Sequence, residues 1–371
     1  MCEISRRGFM VGCSASVAAL AGSRFNTLAF AQEPGASEIL VVLFLRGGID
    51  GLNLMPPIGG VDRGYYEAAR PTLQIPDTGP GAAIQLGSSE FGLHPDAAPL
   101  VELYDNNSLA IVQATGLNLA NRSHFDAMEF MELGTPGIPT TPTGWLTRHL
   151  QSSAEIPEEV IMPTLAMGGL QQASLRGDFE AVNLIDPSIF QLSTGPWRWR
   201  SAQRTSLRRL YGFENTPLHT TGTKALDALY TDLDGAGSSN YTQRLTVVAM
   251  SEFGRRLEQN TDDGTDHGHG NPMMVMGGNI NGGTHGAWPG LAPEQLFEGI
   301  DLAVTTDYRT ILSEILIRRL ANPNLGVIFP GFTDYSPLGV VSGIDLPPNY
   351  GTSIFSDGFE SGDVSGWSSS T

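Results

Sequence analysis

Seven side chains carry the chemistry this sequence offers: Asp50, Ser123, Glu252, Arg255, Asp266, His267 and His269. Carboxylates grouped with imidazoles suit zinc, manganese or iron better than calcium, which prefers an all-oxygen shell. The spacing His267-Gly268-His269 sets both rings on one side of an extended segment, because side chains alternate with period two. A divalent metal is therefore one expectation, with Asp50, Glu252, Asp266, His267 and His269 as its ligands. The plain alternative is a mobile glycine loop. Asp50 follows an apolar run inside Arg46-Gly47-Gly48-Ile49-Asp50-Gly51, where it is either a ligand or the shaper of an Asx turn. Ser123 and Asp126 form an S-x-x-D helix start, so Ser123 is a cap or an anchor for an anion at the helix N-terminus.

These residues need a scaffold that brings distant segments together. Ile39 to Leu45, Leu109 to Ala114, Ile161 to Met167, Leu245 to Met250 and Met273 to Met276 read as short buried strands bounded by turn residues. Helices are expected from His94 to about Asp105, from Ser123 to about Gly134, and over Trp145 to Leu150. Others are expected over Ala202 to Tyr211, Lys224 to Leu233 and Tyr308 to Leu320, the last ending before Asn322-Pro323. Met55 to Ser89 is rich in Pro and Gly and reads as a surface excursion. Strands alternating with helices predict an α/β layered sandwich with a central, mainly parallel sheet. In such a sheet, ligands bind beyond the carboxyl ends of the strands. Asp50 and Glu252 stand at two such ends.

The 371 residues carry a formal net charge of −18, with 16% charged and 40% hydrophobic residues. That balance fits a globular chain and disfavours nucleic acid and anionic lipid as partners. No apolar run is long enough to span a bilayer. Ser5-Arg6-Arg7-Gly8-Phe9-Met10 matches the twin-arginine export motif, and Ala29-Phe30-Ala31 has the small-x-small form of a cleavage site. The expected organisation is a signal over residues 1–31, one domain over 32–345, and a flexible Ser/Gly/acidic tail over 346–371. Both cysteines, Cys2 and Cys13, lie in the signal, so the mature domain needs no disulfide. The expected location is periplasmic, cell-surface or secreted.

Four segments, LRGGIDGLN, RSHFDAMEFMELG, SEFGRR and DHGHGNPMMVMGGNINGG, together resemble DUF1501, a family of exported bacterial proteins of unknown function. That family is similar to the alkaline phosphatase and sulfatase superfamily. The resemblance implies an alkaline-phosphatase-like fold, with Asp50 as the first metal ligand, Ser123 as nucleophile and His267 or His269 as the last ligand. Where the superfamily has Asp-His-Gly after a late strand, this chain has Glu252-Phe253-Gly254. Arg122, Arg255 and Arg256 would hold an anionic ester group, with His285 bordering the site. The implied activity is metal-dependent hydrolysis of a phosphate or sulfate ester. The alternative is a non-catalytic surface or binding protein on the same scaffold.

Overall fold

The computed structural model describes residues 27–33, 36–153, 163–178, 181–184 and 244–351. The twin-arginine motif, the helices expected over 202–211 and 224–233, and the tail beyond residue 351 lie outside the described residues.

The strands of the main sheet are β1 (Thr27–Glu33), β2 (Ala36–Phe44), β5 (Leu109–Gly116), β6 (Thr164–Met167) and β7 (Val182–Leu184), then β8 (Leu245–Met250), β11 (Asn271–Gly277), β12 (Gly283–His285) and β13 (Thr306–Asp307). Their order is β12-β5-β11-β8-β2-β1-β6-β7, with β13 also on β5. Two small ribbons sit outside it: β3 (Ile84–Gln85) with β4 (Gly92–Leu93), and β9 (Arg255–Gln259) with β10 (Thr265–His267). The architecture is mixed α/β.

The sheet is mixed rather than mainly parallel. β11 runs antiparallel to both β5 and β8, and β1 antiparallel to both β2 and β6. The apolar runs indicated two-sided burial correctly. Direction is set by the connections, and the short β-ribbon link between β8 and β11 returns the chain antiparallel.

Successive residues of the strands face two different cores in turn, as period two requires. Leu40, Val42 and Phe44 of β2, Ala110 and Val112 of β5, and Val248 and Met250 of β8 face one core. Leu43, Leu109, Ile111, Ala249 and Met274 face the other. The first layer is closed by the helices His124–Leu133, Trp145–Ser152 and Tyr308–Arg318. The second is closed by Ala98–Asp105 and by Leu86 and Leu93. At about 25 cal/mol per Å² of apolar area, these two layers are the main favourable term in folding.

Two expectations shift. The stretch 55–89 is no bare excursion, since it holds the helix Gly60–Ala69, whose Tyr66 is fully buried and whose C-cap is the buried Arg70. Residues 346–351, assigned by sequence to the tail, lie on the domain. Asn349 donates from its backbone to Pro323 and accepts from Gly326, and Leu346 and Tyr350 pack on the core.

Register then positions the site. β2 and β8 are parallel with Phe44 beside Met250, so Arg46–Asp50 and Ser251–Arg255 leave the sheet together. Asn271 at the start of β11 faces Thr115 near the end of β5, which brings His267–Gly270 and the approach to His124 to the same edge.

Candidate functional site

The centre of that edge is Glu252. Its side chain is fully buried, and burying a carboxylate demands hydrogen bonds. Oε1 accepts from Gly47 N at 2.7 Å and contacts His124 Nδ1 at 2.6 Å; Oε2 lies 3.0 Å from Ser251 Oγ, whose one proton it shares with the Leu45 carbonyl. Ser251 Oγ also faces the Leu45 carbonyl at 2.7 Å and accepts from Ile49 N at 3.1 Å. A carboxylate only accepts, so His124 Nδ1 is the donor in this contact.

His124 opens the helix His124–Leu133, capped by Ser123, whose Oγ takes the Asp126 N–H at 3.5 Å. The His124 ring meets His267 edge-on at 4.1 Å and Phe253 at 4.7 Å. His267 Nδ1 lies 3.0 Å from the Arg122 carbonyl, so Nδ1 is the donor there too. Glu252, His124 and His267 are therefore brought together, with the buried Phe253 ring beside both imidazoles.

The other expected site residues have separate partners. Asp50 caps the short helix Gly51–Leu54 and receives Arg70 Nη1 on both oxygens at 2.8 Å. Asp266 accepts from Asn260 at 3.1 Å and stands 3.7 Å from Arg256. His269 stacks on Phe297 at 4.1 Å, and burial, helped by the charge of Arg122, pushes its pKa down to about 4. Arg122 is spent on Asp301 and Glu298. Burial raises the pKa of Asp301 against the pull of Arg122. His285 bonds the Asn281 carbonyl at 2.8 Å. Arg255 donates to the carbonyls of Gly48, Gly47 and Thr265 at 2.9, 2.6 and 2.8 Å.

The ligand set expected from sequence does not fit a metal. Among the described residues no group of three or more His, Cys, Asp or Glu is arranged to hold one. The reason lies in the donors: Asp50 is neutralised by Arg70, and both oxygens of Glu252 already accept hydrogen bonds.

Two residues were missed by sequence reasoning. His124 lies inside the quoted RSHFD segment, where the helix start drew attention to Ser123. Arg70 lies in the Pro/Gly-rich stretch, where its signal was the helical run Tyr65-Tyr66-Glu67-Ala68-Ala69.

The family described as protein of unknown function (DUF1501) matches residues 215–319. That stretch contains Glu252, Arg255 and His267 and leaves Asp50 and His124 outside it. The match supports the DUF1501 resemblance over that part of the chain. No curated protein and no solved structure matches.

Proposed function

We propose that this chain is an ester hydrolase whose acid–base group is His124, held by Glu252. The observation that carries the reading is the 2.6 Å contact between His124 Nδ1 and the buried Glu252 carboxylate, which in the neutral ring leaves Nε2 as a base at the sheet edge. His124 Nε2 takes a proton from water as the water oxygen attacks the phosphorus or sulfur of an anionic ester. The ester bond to the leaving oxygen breaks, and the imidazolium returns the proton to that oxygen. Glu252 keeps the tautomer and offsets the transient positive charge. Ser123 is spent as a cap, so water is the nucleophile.

The test is a panel of phosphate and sulfate esters, with a carboxylic ester as control, on the purified full chain. His124→Ala and Glu252→Gln are each expected to lower kcat by about 10²–10⁴-fold, the usual weight of general acid–base catalysis. Ser123→Ala is expected to keep kcat and to cost about 1 kcal/mol of stability as a lost cap. Excess chelator is expected to leave the rate unchanged. Wild-type rates in His124→Ala would remove the proposal.

A second reading, a non-catalytic surface or binding protein on this scaffold, is favoured by Phe253. Its ring lies 4.7 and 5.0 Å from the two imidazoles and narrows the approach to them. A panel without a single hydrolysed ester selects this reading.

We carry export by the twin-arginine route with both readings, on the Ser5–Met10 motif. Arg6→Lys with Arg7→Lys is expected to strand the precursor in the cytoplasm, checked by fractionation; unchanged export removes the claim. Ala31 lies within β1, paired to Glu38 of β2, so cleavage after it would sever that strand.

A further inference from the structure

We infer that Arg255 is the positioning residue of this site: it clamps the Gly47–Gly48 turn so that the Gly47 N–H holds Glu252, and through Glu252 the His124 ring, in place. The inference rests on the hydrolase reading for its kinetic arm only.

The argument starts from the turn. Gly47 and Gly48 have φ of 113° and 72°, values that side chains other than hydrogen rarely adopt. A Cβ on Gly48 would stand 2.7 Å from the buried Phe253 ring, so glycine is required there. The same glycines make the turn soft, because glycine loses the most conformational freedom on ordering. Yet the Gly47 N–H is one of the donors that fix Glu252 Oε1, at 2.7 Å. A soft donor would let the carboxylate turn, and His124 with it.

Arg255 removes that softness. Nε donates to the Gly48 carbonyl at 2.9 Å and Nη2 to the Gly47 carbonyl at 2.6 Å, so the turn is gripped at two successive peptides. Nη1 donates to the Thr265 carbonyl at 2.8 Å, which ties the clamp to β10. Charge-assisted bonds of this kind are about twice as strong as neutral ones, and the planar fork loses little freedom in making them. All three nitrogens already face carbonyls, so an anionic ester would compete with the turn for this guanidinium. The expectation that Arg255 grips substrate is thereby replaced by a role on the protein's own backbone.

The experiment compares wild type, Arg255→Met and Arg255→Lys as full chains, with histidines labelled in nitrogen. Wild type is expected to show a low-field proton resonance for His124 Nδ1–H, assigned by its loss in His124→Gln. In Arg255→Met that resonance is expected to vanish or move upfield. With a hydrolysed ester, kcat is expected to fall about 10–100-fold at nearly constant KM, as for a misplaced catalytic group. Arg255→Lys, with one ammonium for several carbonyls, is expected between the two. A resonance unchanged in both variants, with only the melting temperature lowered, overturns the inference. Should Arg255→Met fail to fold, Arg255→Lys is judged by the same readouts. Should wild type hydrolyse nothing, the resonance alone decides, so failure of the hydrolase reading and failure of the clamp remain distinct.

Discussion

Arg70→Met is expected to lower the free energy of unfolding by up to about 3–5 kcal/mol, the range for breaking a buried ion pair from one side, less what water restores to the partly exposed Asp50. The Arg70 side chain is fully buried. Nη1 serves both oxygens of Asp50 at 2.8 Å and Asn53 Oδ1 at 2.6 Å. Nε and Nη2 serve the carbonyls of Leu257 and Arg256 at 2.8 and 2.7 Å. Methionine fills much of the volume and satisfies none of these acceptors, so each keeps its desolvation cost. Arg70→Lys is expected to recover only part, since one ammonium cannot reach a carboxylate and two carbonyls in the guanidinium geometry. Adding Asp50→Asn to Arg70→Met should be less costly than the sum, because the stranded charge is gone. Urea unfolding with an unchanged slope reads the effect. A loss below about 1 kcal/mol in Arg70→Met would show that the site relaxes around the lost cation.

Arg70 also shows how far the sequence could be read. The continuous apolar runs of Leu109–Gly116 and Leu245–Met250, and the cap and glycine stop around His124–Leu133, are local signals, and these elements stand where the residues imply. What the chain does with a charge is not local. Asp50 reads equally as a ligand or a turn former from its place after a strand; it caps Gly51–Leu54, and Arg70, twenty positions later, takes both its oxygens. His269 looked equivalent to His267, yet one ring stacks on Phe297 while the other meets His124. Alternation puts two residues on one side; the partners on that side come from distant segments. The mixed sheet has the same origin, since apolar runs report burial and not direction.

His149 carries the second large effect, a loss of stability in acid. Its ring is completely buried: Nδ1 accepts from Asn322 Nδ2 at 3.0 Å, and Nε2 has no hydrogen-bond partner among the described residues. Burial pushes its pKa down to about 4. The unfolded chain titrates near 6.5, so between about pH 6.5 and 4 the unfolded state holds more protons than the folded one. Stability from this group is thus full above the upper value and is lost as pH falls through the window. The size is about 3 kcal/mol, from about 1.4 kcal/mol per pKa unit. His269, also lowered to about 4, acts in the same direction. Glu132 and Asp301, raised chiefly by burial, act oppositely, losing stability as pH rises past the normal carboxylate range. The wild-type curve is therefore a sum of opposed contributions, and the informative quantity is its difference from His149→Gln. Glutamine can still accept from Asn322 but does not titrate. At pH 7.5 the variant is expected to be the less stable protein, having lost a packed ring. Toward pH 4 the gap should close by about 3 kcal/mol, as wild type alone pays to keep a buried imidazole neutral. A gap independent of pH in paired urea titrations would mean that His149 takes up its proton at the same pH in the folded and unfolded states, so that burial does not hold the ring neutral.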